Sequence, residues 1–134
     1  MTEQLSPLAL QALAVVKESG AIIGANHAHP HTIRHKGRID LVTETDIAVE
    51  AFLKERLATL APQAGFLAEE SAEDLSLPDT CWIIDPVDGT TNFAHGLPLT
   101  VTSVAYRLNG EIVLGIVNAP LLRECFIAEK GKGA

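Results

Sequence analysis

Residues 82 to 96 read Trp-Ile-Ile-Asp-Pro-Val-Asp-Gly-Thr-Thr-Asn-Phe-Ala-His-Gly, an apolar run that stops at two aspartates and continues in small, hydroxylated and amide residues. Trp82, Ile83 and Ile84 have the bulky aromatic and β-branched side chains that suit a packed, pleated surface, so they read as the end of a buried strand. Pro86 has no N–H for a ladder bond and biases Asp85 toward an extended backbone. The strand is therefore expected to end at Asp85 and the chain to turn at Asp88 and Gly89. Two carboxylates at the carboxyl end of a strand, followed by the backbone N–H groups of Gly89-Thr90-Thr91-Asn92, place a cation site beside an anion site.

Composition narrows what that turn can serve. The chain has 134 residues, 47% of them hydrophobic and 20% charged, which suits one globular domain with a mostly aliphatic core. Its formal charge of −7 argues against a broad nucleic-acid surface. An acidic chain that holds a phosphate needs a cation between its carboxylates and the ligand, and a divalent metal fills that role. The sequence lacks an apolar run near the roughly 18 residues of a membrane span, and its start lacks the basic and apolar stretches of a signal peptide, so the expectation is a cytoplasmic protein without a membrane partner. Cys81 and Cys125 sit in apolar, strand-like sequence and read as reduced core residues.

Along the chain, Leu5, Leu8, Ala12, Val15 and Val16 recur at helical spacing and predict an amphipathic helix to about Ala25, with Gly20 a weak point or end. Residues 27 to 39 read as an exposed loop. Thr43 and Asp46 fit a capping pattern, so a second helix is expected from Thr43, with Val49, Phe52, Leu53, Leu57 and Leu60 as its buried stripe and Pro62 as its stop. Gly65 to Ala68 is a short strand candidate that leads into Glu69-Glu70-Ser71. After the central motif, Leu99 to Leu108 alternates as a strand does, Asn109-Gly110 is a strong hairpin signal, and Ile112 to Val117 is the return strand. Glu124 to Glu129 follows as a further strand.

Taken alone, Asp-x-x-Asp-Gly is ordinary turn chemistry. Glu69 and Glu70 also follow a strand, so two strands deliver acids to one sheet edge, where open α/β sheets bind ligands. Asp46 is expected in the first turn of its helix, where its structural role is to stabilise the dipole. Thr90, Thr91 and Asn92 add donors that a plain turn does not require. Carboxylate oxygens suit magnesium, which keeps several waters and binds through one or two carboxylates plus phosphate.

Trp82 to Phe93, with the upstream Asp40-Leu41-Val42-Thr43-Glu44-Thr45-Asp46 and Ala68-Glu69-Glu70-Ser71, resembles the inositol monophosphatase family of magnesium-dependent, lithium-sensitive phosphatases. The resemblance runs in register from about Ile39 to Ala134. It implies that Glu69, Asp85 and Asp88 hold Mg2+ through carboxylates and Val87 through its carbonyl. It implies that Asp46 and Thr90 orient the attacking water with Glu69, and that the backbone from Val87 through Asp88 and Gly89 to Thr90 binds the phosphate of a small substrate. Two departures stand out: Ala68 replaces the glycine of the family's Gly-Glu-Glu-Ser, and Lys36 lies near, but not in clear register with, a lysine that often precedes the Asp-Leu-Val-Thr segment. The family runs to about twice this length, and its second half carries a Trp-Asp motif absent here. Residues 1–134 then correspond to an amino-terminal metal- and phosphate-binding half.

The expected fold class is α/β, layered, with two helices on a mostly antiparallel sheet, as half of an inositol-monophosphatase-like αβαβα sandwich. A face or edge left open in such a half predicts a homodimer. His27, His29, His31 and His35 crowd one segment, where a solvated loop is preferred to a transition-metal site, and His95 reads as a surface residue. The competing reading of the whole chain is a truncated, non-catalytic half-domain that binds a metal or a partner.

Overall fold

The computed structural model describes residues 4–27, 35–68, 78–88 and 99–132, with side chains for 4–26, 44–67, 78–88 and 99–132. The first helix, α1, spans Pro7–His27. Ser6 starts it: its Oγ accepts from Ala9 N at 3.1 Å, and Pro7 supplies the fixed φ that suits the first helical position. The same serine donates from its own N and Oγ to the carboxylate of Glu129, at 2.9 and 2.6 Å, which ties the helix start to the last strand.

Helix α1 continues straight through Gly20, contrary to the expected weak point there. A Cβ at Gly20 would lie 2.8 Å from Pro120 Cβ and 2.9 Å from Asn118 Nδ2. The glycine permits close packing of the helix against the sheet's return connection, a requirement set by residues a hundred positions away. Over Pro7–Asn26, α1 is long and apolar enough to cross a bilayer, with a mean hydropathy of 1.4. That differs from the sequence expectation of no unbroken apolar run, because a few polar residues interrupt a segment that is apolar on average. Here Ala9, Ala12, Val15, Val16 and Ile23 are buried in the core.

The second helix, α2, spans His35–Leu60 and begins eight residues before Thr43. Thr43 is thus an interior residue, not a cap, and Asp46 lies well inside the helix instead of in its first turn. The exposed-loop expectation also fails over residues 35–39, which are helical, while 28–34 lie outside the described residues. Val49, Leu53 and Leu57 are buried as the stripe required. Asn26 Nδ2 donates to the buried Thr45 Oγ1 at 2.7 Å and joins the two helices. On the surface, Arg56 pairs with Glu18 at 2.7 Å.

Five strands follow: β1 (Gly65–Ala68), β2 (Cys81–Asp88), β3 (Val101–Leu108), β4 (Glu111–Ala119) and β5 (Glu124–Glu129). They form one sheet in sequence order, with β1 parallel to β2 and every later pair antiparallel. At the β3–β4 hairpin, Asn109 and Gly110 have φ of 53° and 84°, the left-handed pair that matches strand twist. Between β4 and β5 a 3₁₀ turn, Pro120–Leu122, ends at Arg123 with φ of 56°. The helices cover the face that carries Trp82, Ile84, Val104, Tyr106, Leu114 and Ile116. Trp82 and Tyr106 pack with ring centroids 4.4 Å apart. Two helices on a mostly antiparallel sheet is the expected fold class.

Candidate metal and phosphate site

Strand β2 does not stop at Asp85. It runs through Pro86 to Asp88, because the irregularity that a proline demands is absorbed as a bulge: Asp85 pairs with Ser103 and Asp88 with Val101, so Pro86 and Val87 together oppose Thr102. The Thr102 hydroxyl donates to Pro86 O at 2.8 Å in the buried interior, satisfying a carbonyl that the bulge removes from the ladder. Threonine at this position is a site-shaping residue that sequence reasoning missed. Its signal, a hydroxyl opposite a strand proline, becomes readable only once the register is known.

The bulge sorts the three residues that matter. Val87 is buried, Asp88 is exposed at the strand end, and Asp85 is half-buried with Oδ1 screened from solvent. Topology directs the part of α2 that carries Asp46 toward the same end. Helix α2 ends at Leu60, a short turn through Ala61–Ala64 leads into β1, and β1 runs parallel to β2. The amino-terminal part of α2 therefore lies toward the carboxyl ends of β1 and β2; Asp46, in that part of the helix, also has its Oδ1 screened from solvent. Ala68 is the last residue of β1 and pairs with Ile84, immediately before Asp85.

Glu69, Gly89, Thr90 and His95 lie outside the described residues, as do His29 and His31; His27 closes α1 and His35 opens α2. Among the described residues, no three His, Cys, Asp or Glu side chains are arranged to hold a metal ion. The carboxylates of Asp46, Asp85 and Asp88 and the Val87 carbonyl are oxygen donors of the hard type that magnesium accepts. Burial pushes the Cys81 thiol up, partly offset by the Arg107 guanidinium, and burial likewise raises Cys125, offset by Lys17. The two cysteines are free.

The sequence profile of the inositol monophosphatase family matches residues 4–134. The chain belongs to the inositol monophosphatase family. An inositol monophosphatase of Dictyostelium discoideum is 46% identical over 127 residues, covering 92% of this chain and 47% of that protein. The Nus factor SuhB of Escherichia coli (strain K12) is 35% identical over 133 residues, covering 97% of this chain and 50% of its own length. Among solved structures, native SuhB from Bartonella henselae superposes with a TM-score of 0.79 at 32% identity, over 96% of this chain and 50% of that one. The chain spans about half the length of the curated relatives it matches. Membership supports a phosphatase, and the neighbouring folds share its helix-on-sheet arrangement.

Proposed function

We propose that the chain is a magnesium-dependent phosphomonoesterase acting on a small phosphorylated alcohol such as inositol monophosphate. The observation that carries this reading is the bulged carboxyl end of β2, which holds Asp85, Val87 and Asp88, in a chain of the inositol monophosphatase family. Glu69, Asp85, Asp88 and the Val87 carbonyl are the proposed magnesium ligands. The ion would supply Lewis acidity and the positive charge that an acidic chain needs to accept a phosphate monoester.

The protein's own groups do the rest. Asp46 and Thr90, with Glu69, orient the attacking water and draw off its proton, so that oxygen meets phosphorus in line. Backbone N–H groups of Asp88, Gly89 and Thr90, beside Val87, hold the phosphate oxygens. The leaving alcohol departs directly, without a covalent enzyme intermediate. Asp88→Asn, introduced into a full-length protein that carries this segment, is expected to abolish magnesium-dependent phosphate release. Retained release would sink the assignment.

The chain's coverage of about half of its relatives, together with an apolar sheet face left uncovered, favours one further reading: a non-catalytic half-domain that binds a metal or a partner. The purified chain, assayed on inositol monophosphate with magnesium, separates the two, since turnover at the rate of a full-length relative excludes the inert form. We also propose a cytoplasmic homodimer, supported by the free cysteines and by that open face.

A further inference from the structure

Most cations whose side chains the structure describes have a partner. Lys54 pairs with Glu50, Arg56 with Glu18, Lys130 with Glu111 and Lys132 with Glu129, and Arg107 donates to Pro78 O. Lys17 and Arg123 have neither an ion pair nor a side-chain hydrogen bond among the described residues. In a chain of formal charge −7 two such cations stand out, and both line one cavity of about 570 Å³. That volume is in the range of small-molecule sites. The cavity lies on the helix side of the sheet: Asn118 follows Leu114 and Ile116 in the helix-facing alternation of β4, and Cys125 is its cross-strand partner on β5. Helix α1 and the Pro120–Leu122 turn form its walls, drawn together where Gly20 lets the helix approach Pro120. The walls are held by this packing and do not depend on what covers the opposite face. At the floor, Asn118 is 5% exposed, and its Nδ2 reaches Val16 O at 3.5 Å, the weak end of hydrogen bonding, which leaves the amide available to a ligand. Burial pushes the Cys125 thiol up and the Lys17 ammonium partly offsets it, so that cation acts across the cavity.

We propose that this cavity is a second anion site, which takes the phosphate group of a small phosphate ester between Lys17 and Arg123, with the rest of the ligand over the Asn118 amide. The arginine offers a planar fork to two phosphate oxygens, and the lysine adds a point charge. A phosphate dianion suits this rim better than a carboxylate does, because Glu124 stands on the same rim and already offsets part of the positive field. Asp85, Val87 and Asp88 do not line the cavity, so the site is separate from the candidate metal centre and needs no magnesium. It does not depend on the phosphatase assignment.

Glycerol phosphate is titrated into the isotope-labelled chain at constant ionic strength, without magnesium, and followed by amide NMR. Saturable shifts are expected at the backbone amides of Ala21, Arg123 and Glu124 and at the Asn118 side-chain amide, with a midpoint on the order of millimolar. Lys17→Gln keeps a good helix former, and Arg123→Asn suits the left-handed φ of 56° at that position. Each is expected to weaken binding roughly three- to tenfold, and the spectra show directly that each variant remains folded. Glu124→Gln is expected to tighten binding, since it removes a competing carboxylate. Glycerol and acetate at the same concentrations are expected to leave these resonances in place. Shifts confined to Asp85–Asp88, or none that saturate around the cavity, overturn the proposal. A midpoint unchanged by both Lys17→Gln and Arg123→Asn overturns it as well, and acetate acting with the same midpoint rejects phosphate as the group recognised.

Discussion

The two faces of this sheet are built from the same strands and end in opposite circumstances. On the helix side Trp82, Ile84, Val104, Tyr106, Leu114 and Ile116 are buried; on the other, Val117 and Phe126 stand exposed beside Ile83, Ala105 and Gly115. A sheet with one solvated face alternates apolar with polar residues, whereas a sheet apolar on both faces is made to lie between two layers. The comparison shows that strand composition reports how many layers a sheet needs, but not which are present.

The largest expected difference between the faces is in core deletion. Leu53→Ala, beneath the helix layer, should cost about 2–5 kcal/mol in urea unfolding, because the removed atoms leave a cavity in a packed interior. Val117→Ala on the open face should cost less than about 1 kcal/mol, since much of its surface is already hydrated. Equal losses would erase the distinction. A smaller effect is expected where the faces meet the site: Thr102→Val keeps shape but strips the hydroxyl from the bulge, leaving Pro86 O unpaired, for about 1–3 kcal/mol. Magnesium titration of the same variant should show weaker binding as Asp85 and Asp88 lose their spacing. Unchanged stability and binding would mean that the bulge holds without the threonine.

The smallest effect concerns the anchor of α1. Ser6→Ala removes a helix cap and the Oγ hydrogen bond to Glu129, leaving the backbone N–H one, at a cost of about 1 kcal/mol near neutral pH. Hydrogen bonds from Ser6, aided by Lys132, hold the Glu129 carboxyl below its ordinary value of 4.5. A depressed carboxylate contributes stability that is present above the unfolded pKa and is lost as pH falls through the folded one. The gap between parent and Ser6→Ala should therefore narrow as the pH is lowered below the ordinary carboxylate range. A gap that is constant with pH would assign the whole effect to capping.

Much of the architecture was legible. Strands β1 and β5 occupy the expected residues, and the Asn109-Gly110 hairpin forms with the left-handed backbone its side chains permit. These features depend on neighbours a few positions away. The start of α2 was misread because Thr43 and Asp46 carry the side chains of a capping pattern, yet the helix already exists upstream and the pattern falls inside it. Of the candidate site, Asp85, Val87 and Asp88 lie together at the carboxyl end of β2, although Asp85 and Asp88 are held by a bulge within the strand and not by a turn after it. Nothing at Pro86 itself says whether a proline stops a strand or distorts it; the answer lies with Thr102 in the next strand.

The sequence by itself determined the elements that local chemistry specifies: the stripes of the helices, the hairpin and the oxygen-rich residues around Asp85. Tertiary structure alone decided that an apolar α1 packs as a core helix, that Gly20 serves close contact with Pro120, and that one apolar face is covered while its opposite is open. The reason is that φ preferences and periodicity act over a few residues, whereas burial, register and close approach depend on which distant segments arrive on each side.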